Sequence, residues 1–391
     1  MRQSGIRTEP NSDLILAESN FPMWETPDRR RAGWHGFSEI VRYGLTIRAP
    51  EVRILEKRVD YRIGQLESVR MLTSGPAFSA LVAVADGHIV HEAYGPGFGP
   101  DRRHSMQSIS KTTATLIIGK LVEEGKIDVT EPVSTYLPEI GTGYAAATVQ
   151  DLLDMNVVND YTEDYGDADA SVFVQESTHG WRLPKPEYAD LTLRPFLTTI
   201  KSDDVRNPTR EQLYKSANTD VLGWIAERVS GRSLRDYLIE IAEAAGIEGL
   251  MFVSTDREFT PVIDGGLAMT ARDLARYGLL LLQNGHGIGG RVVGSATFIE
   301  AAKTNPGTTG GGEREDTHYS NQLVSNGRWF GHSGWGGQWL HVDQDAGVVV
   351  VFFSVLENHS AWDAGYMAGV VRMAEEIAAL AGAHNTYQPS S

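Results

Sequence analysis

Val348-Val349-Val350-Val351-Phe352-Phe353-Ser354-Val355 is a short, almost unbroken apolar run, preceded by turn residues from Asp343 to Gly347. With no alternation of polar and apolar positions, it reads as a strand covered on both faces. The chain must therefore supply neighbours beside this strand and layers above and below it. Phe78–Ala85 and His88–Tyr94 flank Asp86-Gly87, a pair suited to a tight hairpin, and predict two further strands. Phe330–Val342 adds another β-rich stretch leading into the turn. The intervening sequence is mainly helical in pattern, and residues 362–382 predict a last helix. Strands at both ends with a helical middle predict an α+β fold, in which one sheet is assembled from the two ends and a helical lobe is inserted between them. The implied division is an arm over 1–60, one lobe from 61–107 and 255–391, and a helical lobe over 108–254. Within the arm, Phe21, Trp24, Trp34 and Phe37 are scattered among prolines and Arg29-Arg30-Arg31, which predicts that the arm packs on the body.

At 391 residues, with 41% hydrophobic and 22% charged residues, the chain can bury a substantial core. It contains no cysteine, which excludes disulfides, thiolate catalysis and cysteine-ligated zinc. A net charge of −16 argues against nucleic-acid binding and permits cationic substrates without requiring them. No apolar signal region opens the sequence and no stretch is apolar for long enough to span a bilayer, so a cytoplasmic address is expected.

The chemistry centres on Gln107 to Gly125. Leu116, Ile117, Leu121 and Val122 recur at helical spacing, and Gly125 suits a left-handed cap. Ser108 then sits at the start of the helix, with Lys111 one turn along on the same face. A neutral amine there could take the hydroxyl proton, and the positive helix end would favour the alkoxide. The plain alternative is a serine cap followed by a solvated lysine.

Further along, Tyr214 and Asn218 precede an amphipathic segment ending at Gly231. They offer a phenol as proton shuttle and an amide for orienting substrate. Alternatively, Asn218 or Thr219 merely caps the helix while Tyr214 packs. Asn159 to Asp169 is rich in acids and aromatics, but it lacks the ordered ligand series and closing glutamate of a calcium loop. No metal or cofactor is expected. Gly331-His332-Ser333-Gly334-Trp335 only half matches the elbow of an α/β-hydrolase, and Ser333 reads as support for its strand.

Ser108-x-x-Lys111, Gly125-Lys126-Ile127-Asp128 with Tyr136-Leu137-Pro138-Glu139, the Gly265-Gly266 to Gly278 segment and His332-Ser333-Gly334 occur in the order seen in the serine β-lactamase-related (penicillin-binding-protein-like) hydrolases. The resemblance covers roughly residues 70–380. Within that group the chain resembles the 6-aminohexanoate-dimer (nylon oligomer) hydrolases. It shares their tryptophan- and proline-bearing arm, the Asp160-Tyr161-x-Glu163-Asp164-Tyr165 loop, Gly180-Trp181-Arg182 and Tyr214-x-Ser216-Ala217-Asn218.

This resemblance implies a β-lactamase/transpeptidase-like fold and an acyl-enzyme on Ser108, with Lys111 and Tyr214 sharing the proton. It also implies an oxyanion hole from the backbone N–H groups of Ser108 and Trp335. Tyr165, Trp181, Asn218, His332 and Gly334 are the implied substrate-binding positions, with Tyr165 hydrogen-bonding the scissile amide and Trp181 on a loop closing over it.

Three departures stand out. The family's Tyr-x-Asn is here Ser216-Ala217-Asn218 with the tyrosine four residues ahead, so either Tyr214 reaches in or Ser216 takes that place; Tyr214 is preferred. His332 stands where many β-lactamases carry lysine. Met155-Asn156-Val157-Val158 replaces the family's His-Thr-Ser-Gly. The expected function is cleavage of small amides or esters. The alternatives are a carboxylesterase or transesterase with little amidase activity, and a non-catalytic penicillin-binding-like relative. The expected partner is a small-molecule substrate rather than nucleic acid or membrane, with a homodimer left open.

Overall fold

The computed structural model of the protein describes residues 25–310 and 314–382, so Phe21 and Trp24 of the arm lie outside the described residues. The larger sheet has eight strands, all antiparallel to their neighbours. One edge is the hairpin β2 (Phe78–Ala85) and β3 (His88–Tyr94). The remaining strands are β7 (Thr308–Thr309), β8 (His318–Ser320), β9 (Leu323–Ser325), β10 (Phe330–Gly334), β11 (Gln338–Asp343) and β12 (Val348–Ser354). Their order is β3-β2-β12-β11-β10-β9-β8-β7, so β12, from the far end of the chain, lies against β2. The expected sheet from both chain ends is thus present. Its hairpin turns on Asp86 and Gly87, both at positive φ (49° and 75°), as a two-residue turn matching strand twist requires.

The unbroken apolar character of β12 has its cause in two cores. Val349, Val351 and Phe353 face one side, together with Leu116, Ile117 and Leu280. Val348, Val350 and Phe352 face the other, against Met367, Val370, Val371 and Ala374 of the last helix, Ala364–Gly382. Each such side chain contributes about 1.5–3 kcal/mol by leaving water, and both layers are needed to collect it. The first core continues through Leu152, Leu197 and Ile225 into the helical region, so sheet and helices share one interior.

A smaller sheet runs β1-β5-β6-β4, from β1 (Gly44–Ile47), β4 (Arg103–Ser105), β5 (Met251–Ser254) and β6 (Leu267–Thr270). It joins the arm to β4, the strand that leads directly into Ser108. Within the described part of the arm, Trp34 and Phe37 are buried, and the Arg30–His35 helix lies beside β4. Among the described residues no helix is long and apolar enough to cross a membrane.

Candidate active site

The helix read from Gln107 onward starts differently from expectation. Gln107–Lys111 forms a 3₁₀ turn, and the α-helix proper runs Thr112–Glu123. In a 3₁₀ turn, side chains three residues apart eclipse one another. This brings Lys111 Nζ to 3.1 Å from Ser108 Oγ. Entry to the turn needs a sharp reversal, and Gln107 takes it at a φ of +49°, a conformation that costs a non-glycine residue about 1 kcal/mol or more. Two hydrogen bonds hold the turn to β6: Met106 N–H donates to Leu267 O (2.9 Å), and Leu267 N–H donates to Ser110 Oγ (3.1 Å).

Lys111 is fully buried. Its Nζ approaches Ser216 Oγ (3.0 Å) and the Asp264 carbonyl oxygen (2.6 Å) as well as Ser108. Burial lowers its pKa from the ordinary lysine value, and the charges of Asp264, Glu163 and Asp220 oppose that shift without cancelling it. Both alternatives for the second motif lie close by. The Tyr214 ring centroid is 5.0 Å from Lys111 Nζ, while Ser216 touches the amine directly. Ser216 opens the helix Ser216–Ser230, and its N–H and O–H both donate to the Glu163 carboxylate, at 2.7 and 2.9 Å. An anion at a helix N-terminus is favourably placed.

On the opposite side, β10 reaches the serine turn because Gly334 has no side chain. A Cβ there would lie 2.4 Å from Met106 O and 3.2 Å from Gln107 Cβ. Trp335 follows in the β10–β11 turn with Gly336 and Gly337, both at positive φ. Strand alternation sends neighbouring side chains to opposite faces. Ser333 faces the cavity, whereas His332 is buried behind Tyr214 (ring centroids 6.4 Å apart), its ring nitrogens meeting Ser333 O (2.6 Å) and the Tyr319 hydroxyl (3.1 Å).

Ser108, Tyr214, Ser216, Ser333 and Trp335 open onto one cavity of about 280 Å³. Tyr165 stacks on Trp335 at its mouth (centroids 4.9 Å apart, 13° between planes). Trp181 lines the wall, its indole N–H donating to Ser254 Oγ at 3.0 Å. Two of the residues read as substrate-binding stand behind the wall instead. His332 is one; the other is Asn218, which lies inside its helix, fully buried, accepting from the Tyr144 hydroxyl (3.0 Å).

The sequence reading missed the acidic flank. Asp264, Glu176 and Glu163 line the cavity with His179 and Gln175, and Asp220 lies just behind. Gln175 Nε2 donates to Asp220 (2.7 Å) and Asp264 (3.4 Å), and His179 Nε2 lies 3.3 Å from Asp220. Burial, then the charge of Asp220, raises the Asp264 pKa to about 7. His179, Asp220 and Asp264 offer ligand atoms within 4.8 Å of one another, a spacing that could also hold a cation. The acids come from separate segments: Glu163 belongs to the loop shared with the 6-aminohexanoate-dimer hydrolases, but nothing in the local sequence distinguishes Glu176, Asp220 or Asp264 from solvated acids.

Comparison with known proteins follows the same outline. The chain is 35% identical over 325 residues to a 6-aminohexanoate-dimer hydrolase of Paenarthrobacter ureafaciens, covering 80% of this chain and 78% of that one. Among solved structures, a Bacillus anthracis protein provisionally named as a 6-aminohexanoate-dimer hydrolase superposes with a TM-score of 0.79 at 23% identity, over 98% of this chain and 100% of that chain. A penicillin-binding protein homologue from Caulobacter crescentus gives a TM-score of 0.58 at 18% identity, over 81% and 98% of the two chains. A D-stereospecific amidohydrolase from Streptomyces gives 0.54 at 18%, again over 81% and 98%. These likenesses establish the β-lactamase/transpeptidase-like fold. Since the beta-lactamase family profile also matches residues 76–368, from the first strand of the large sheet into the last helix, the chain belongs to the beta-lactamase family.

Proposed function

We propose that the protein is a serine hydrolase that opens small amide or ester bonds through an acyl-enzyme on Ser108. The observation that carries this reading is the 3.1 Å approach of a buried amine, Lys111, to the Ser108 hydroxyl. An amine with a lowered pKa is neutral in a larger fraction at neutral pH and can serve as base. In the first step the Ser108 proton passes to Lys111 Nζ while Oγ bonds to the substrate carbonyl carbon. The carbonyl π pair moves onto oxygen, where the N–H groups of Ser108 and Trp335 receive it. Losing one such donor typically costs about 3 kcal/mol.

Collapse of this intermediate re-forms the carbonyl and expels the leaving amine or alkoxide, which takes a proton from Lys111 directly or by way of Tyr214. Water then attacks the acyl group with the same groups acting in reverse. The 280 Å³ cavity suits a small, elongated acyl or amine chain, and the names of the Paenarthrobacter and Streptomyces relatives favour an amide.

The test is a panel of 6-aminohexanoate linear dimer, p-nitrophenyl acetate and a chromogenic cephalosporin. Turnover of at least one, abolished in Ser108→Ala, is expected. Stoichiometric labelling of Ser108 without product release would instead favour a non-catalytic binding relative. Tyr214→Phe should slow an amide more than an ester of the same acyl group, by about 100-fold on the amide, because an amine leaves only when protonated. Equal losses on both would remove Tyr214 from the proton path.

A further inference from the structure

Lys111 Nζ has three close oxygen neighbours: Ser108 Oγ (3.1 Å), Ser216 Oγ (3.0 Å) and Asp264 O (2.6 Å). A neutral amine brings two N–H donors and one lone pair to them. It can act as base toward Ser108 only when the lone pair falls on that neighbour. The Asp264 carbonyl oxygen can only accept, so one N–H belongs there. Ser216 is the undecided member, since a hydroxyl can donate or accept.

Glu163 decides it. The Ser216 hydroxyl donates to Glu163 Oε1 at 2.9 Å, and the Ser216 backbone N–H donates to Oε2 at 2.7 Å. A hydroxyl has a single proton, and an ionised carboxylate only accepts. Burial raises the Glu163 pKa above the ordinary carboxylate value, and Lys111 and the two hydrogen bonds from Ser216 oppose that shift without cancelling it; both Ser216 donors point at the carboxylate oxygens, the arrangement an anion accepts.

We propose that Glu163 is a positioning residue: by holding the Ser216 proton it makes Ser216 an acceptor toward Lys111, and so turns the lysine lone pair onto Ser108. The inference rests on the reading of Ser108 as nucleophile. After the Ser108 proton has moved to Nζ, the ammonium has three N–H groups and three acceptors: Ser216 Oγ, Asp264 O and the Ser108 oxygen now bonded to the acyl carbon. The arrangement therefore fits the amine before proton transfer and the ammonium after it.

Glu163→Gln tests this with little change of shape. The Ser216 N–H keeps the amide oxygen in place, which turns the new NH₂ toward Ser216 Oγ and drives the hydroxyl proton onto the Lys111 lone pair. Turnover of p-nitrophenyl acetate and labelling of Ser108 by a fluorophosphonate should fall by about 100-fold, with KM little changed. Removing the misdirected donor should reverse the loss: Glu163→Gln/Ser216→Ala is expected to match Ser216→Ala alone and to exceed Glu163→Gln. A purely structural role for Glu163 predicts no such rescue.

A double variant no faster than Glu163→Gln, or a Glu163→Gln enzyme at wild-type rate, would overturn the proposal. Thermal melts of each variant separate rate from folding. If Glu163→Gln does not fold, Ser216→Ala alone answers the question: it should lose less than Lys111→Ala, and an equal loss would make Ser216 the proton carrier and end the argument. Failure of wild-type Ser108 to label would instead remove the hydrolase reading itself.

Discussion

Several imidazoles, His35, His91, His104, His332 and His341, lie where burial disfavours a positive charge. Burial lowers the pKa of His35 to about 4 and those of His332 and His341 to about 3. Each is neutral in the native chain and takes up a proton near pH 6.5 once unfolded. Their stabilisation is therefore complete above pH 6.5 and is lost as pH falls toward the native values. Buried carboxyls pull the other way, Asp264 and Asp154 among them. Asp264, raised to about 7, and Asp154, raised to about 6, hold protons in the native state that the unfolded chain releases. Replacing one histidine isolates its share. Neither ring nitrogen of His341 has a hydrogen-bond partner, and its ring lies 4.9 Å from that of Trp329, so phenylalanine can occupy the site. His341→Phe should flatten the dependence of unfolding free energy on pH between 6 and 4 by up to about 1.4 kcal/mol per pH unit. Denaturant melts at several pH values measure this, and parallel curves for the two proteins would refute it.

Two elements meet at the site, the 3₁₀ turn at Gln107–Lys111 and strand β10, and their separation is set by what Gly334 lacks. Gly334→Ala must move the strand or the turn, since the added methyl would lie 2.4 Å from Met106 O. We expect about 1–3 kcal/mol of lost stability from overpacking. We also expect a fall in kcat beyond what the melt explains, because the Trp335 N–H moves with the strand; unchanged kcat in a destabilised variant would argue against Trp335 as an oxyanion donor. Both elements were legible in the sequence, one as Ser-x-x-Lys ahead of an apolar helix and the other as glycines in a β-rich stretch. Their local geometry was less so. Periodicity cannot tell a 3₁₀ first turn from an α-helical one, yet the 3₁₀ turn is what sets Lys111 over Ser108. The placements of His332 and Asn218 behind the cavity wall follow from strand phase and from a helix beginning at Ser216. Neither is fixed by composition.

At the scale of the molecule, the assembly of one sheet from both chain ends could be read because β12 is too apolar to have a wet face. The contents of the cavity could not. Glu163, Asp220 and Asp264 stand far apart in the chain and gather only through long-range packing. The arm illustrates the same point. Trp34, 1% exposed, donates its indole N–H to the carbonyl oxygen of Trp335 at 3.1 Å, and the Arg30 guanidinium sits 5.2 Å from the Trp335 ring centroid. Trp34→Ala should cost about 3–5 kcal/mol, read by denaturant titration. It should also lower kcat more than it raises KM, and a variant that only melts earlier would confine the arm to a stabilising role. The span shared with the family profile starts at residue 76, well after this contact. Trimming the chain to that span, or splicing the span onto another scaffold, would discard the brace behind the turn that carries Trp335; if the proposed chemistry holds, the product should melt earlier and turn over more slowly than the full chain.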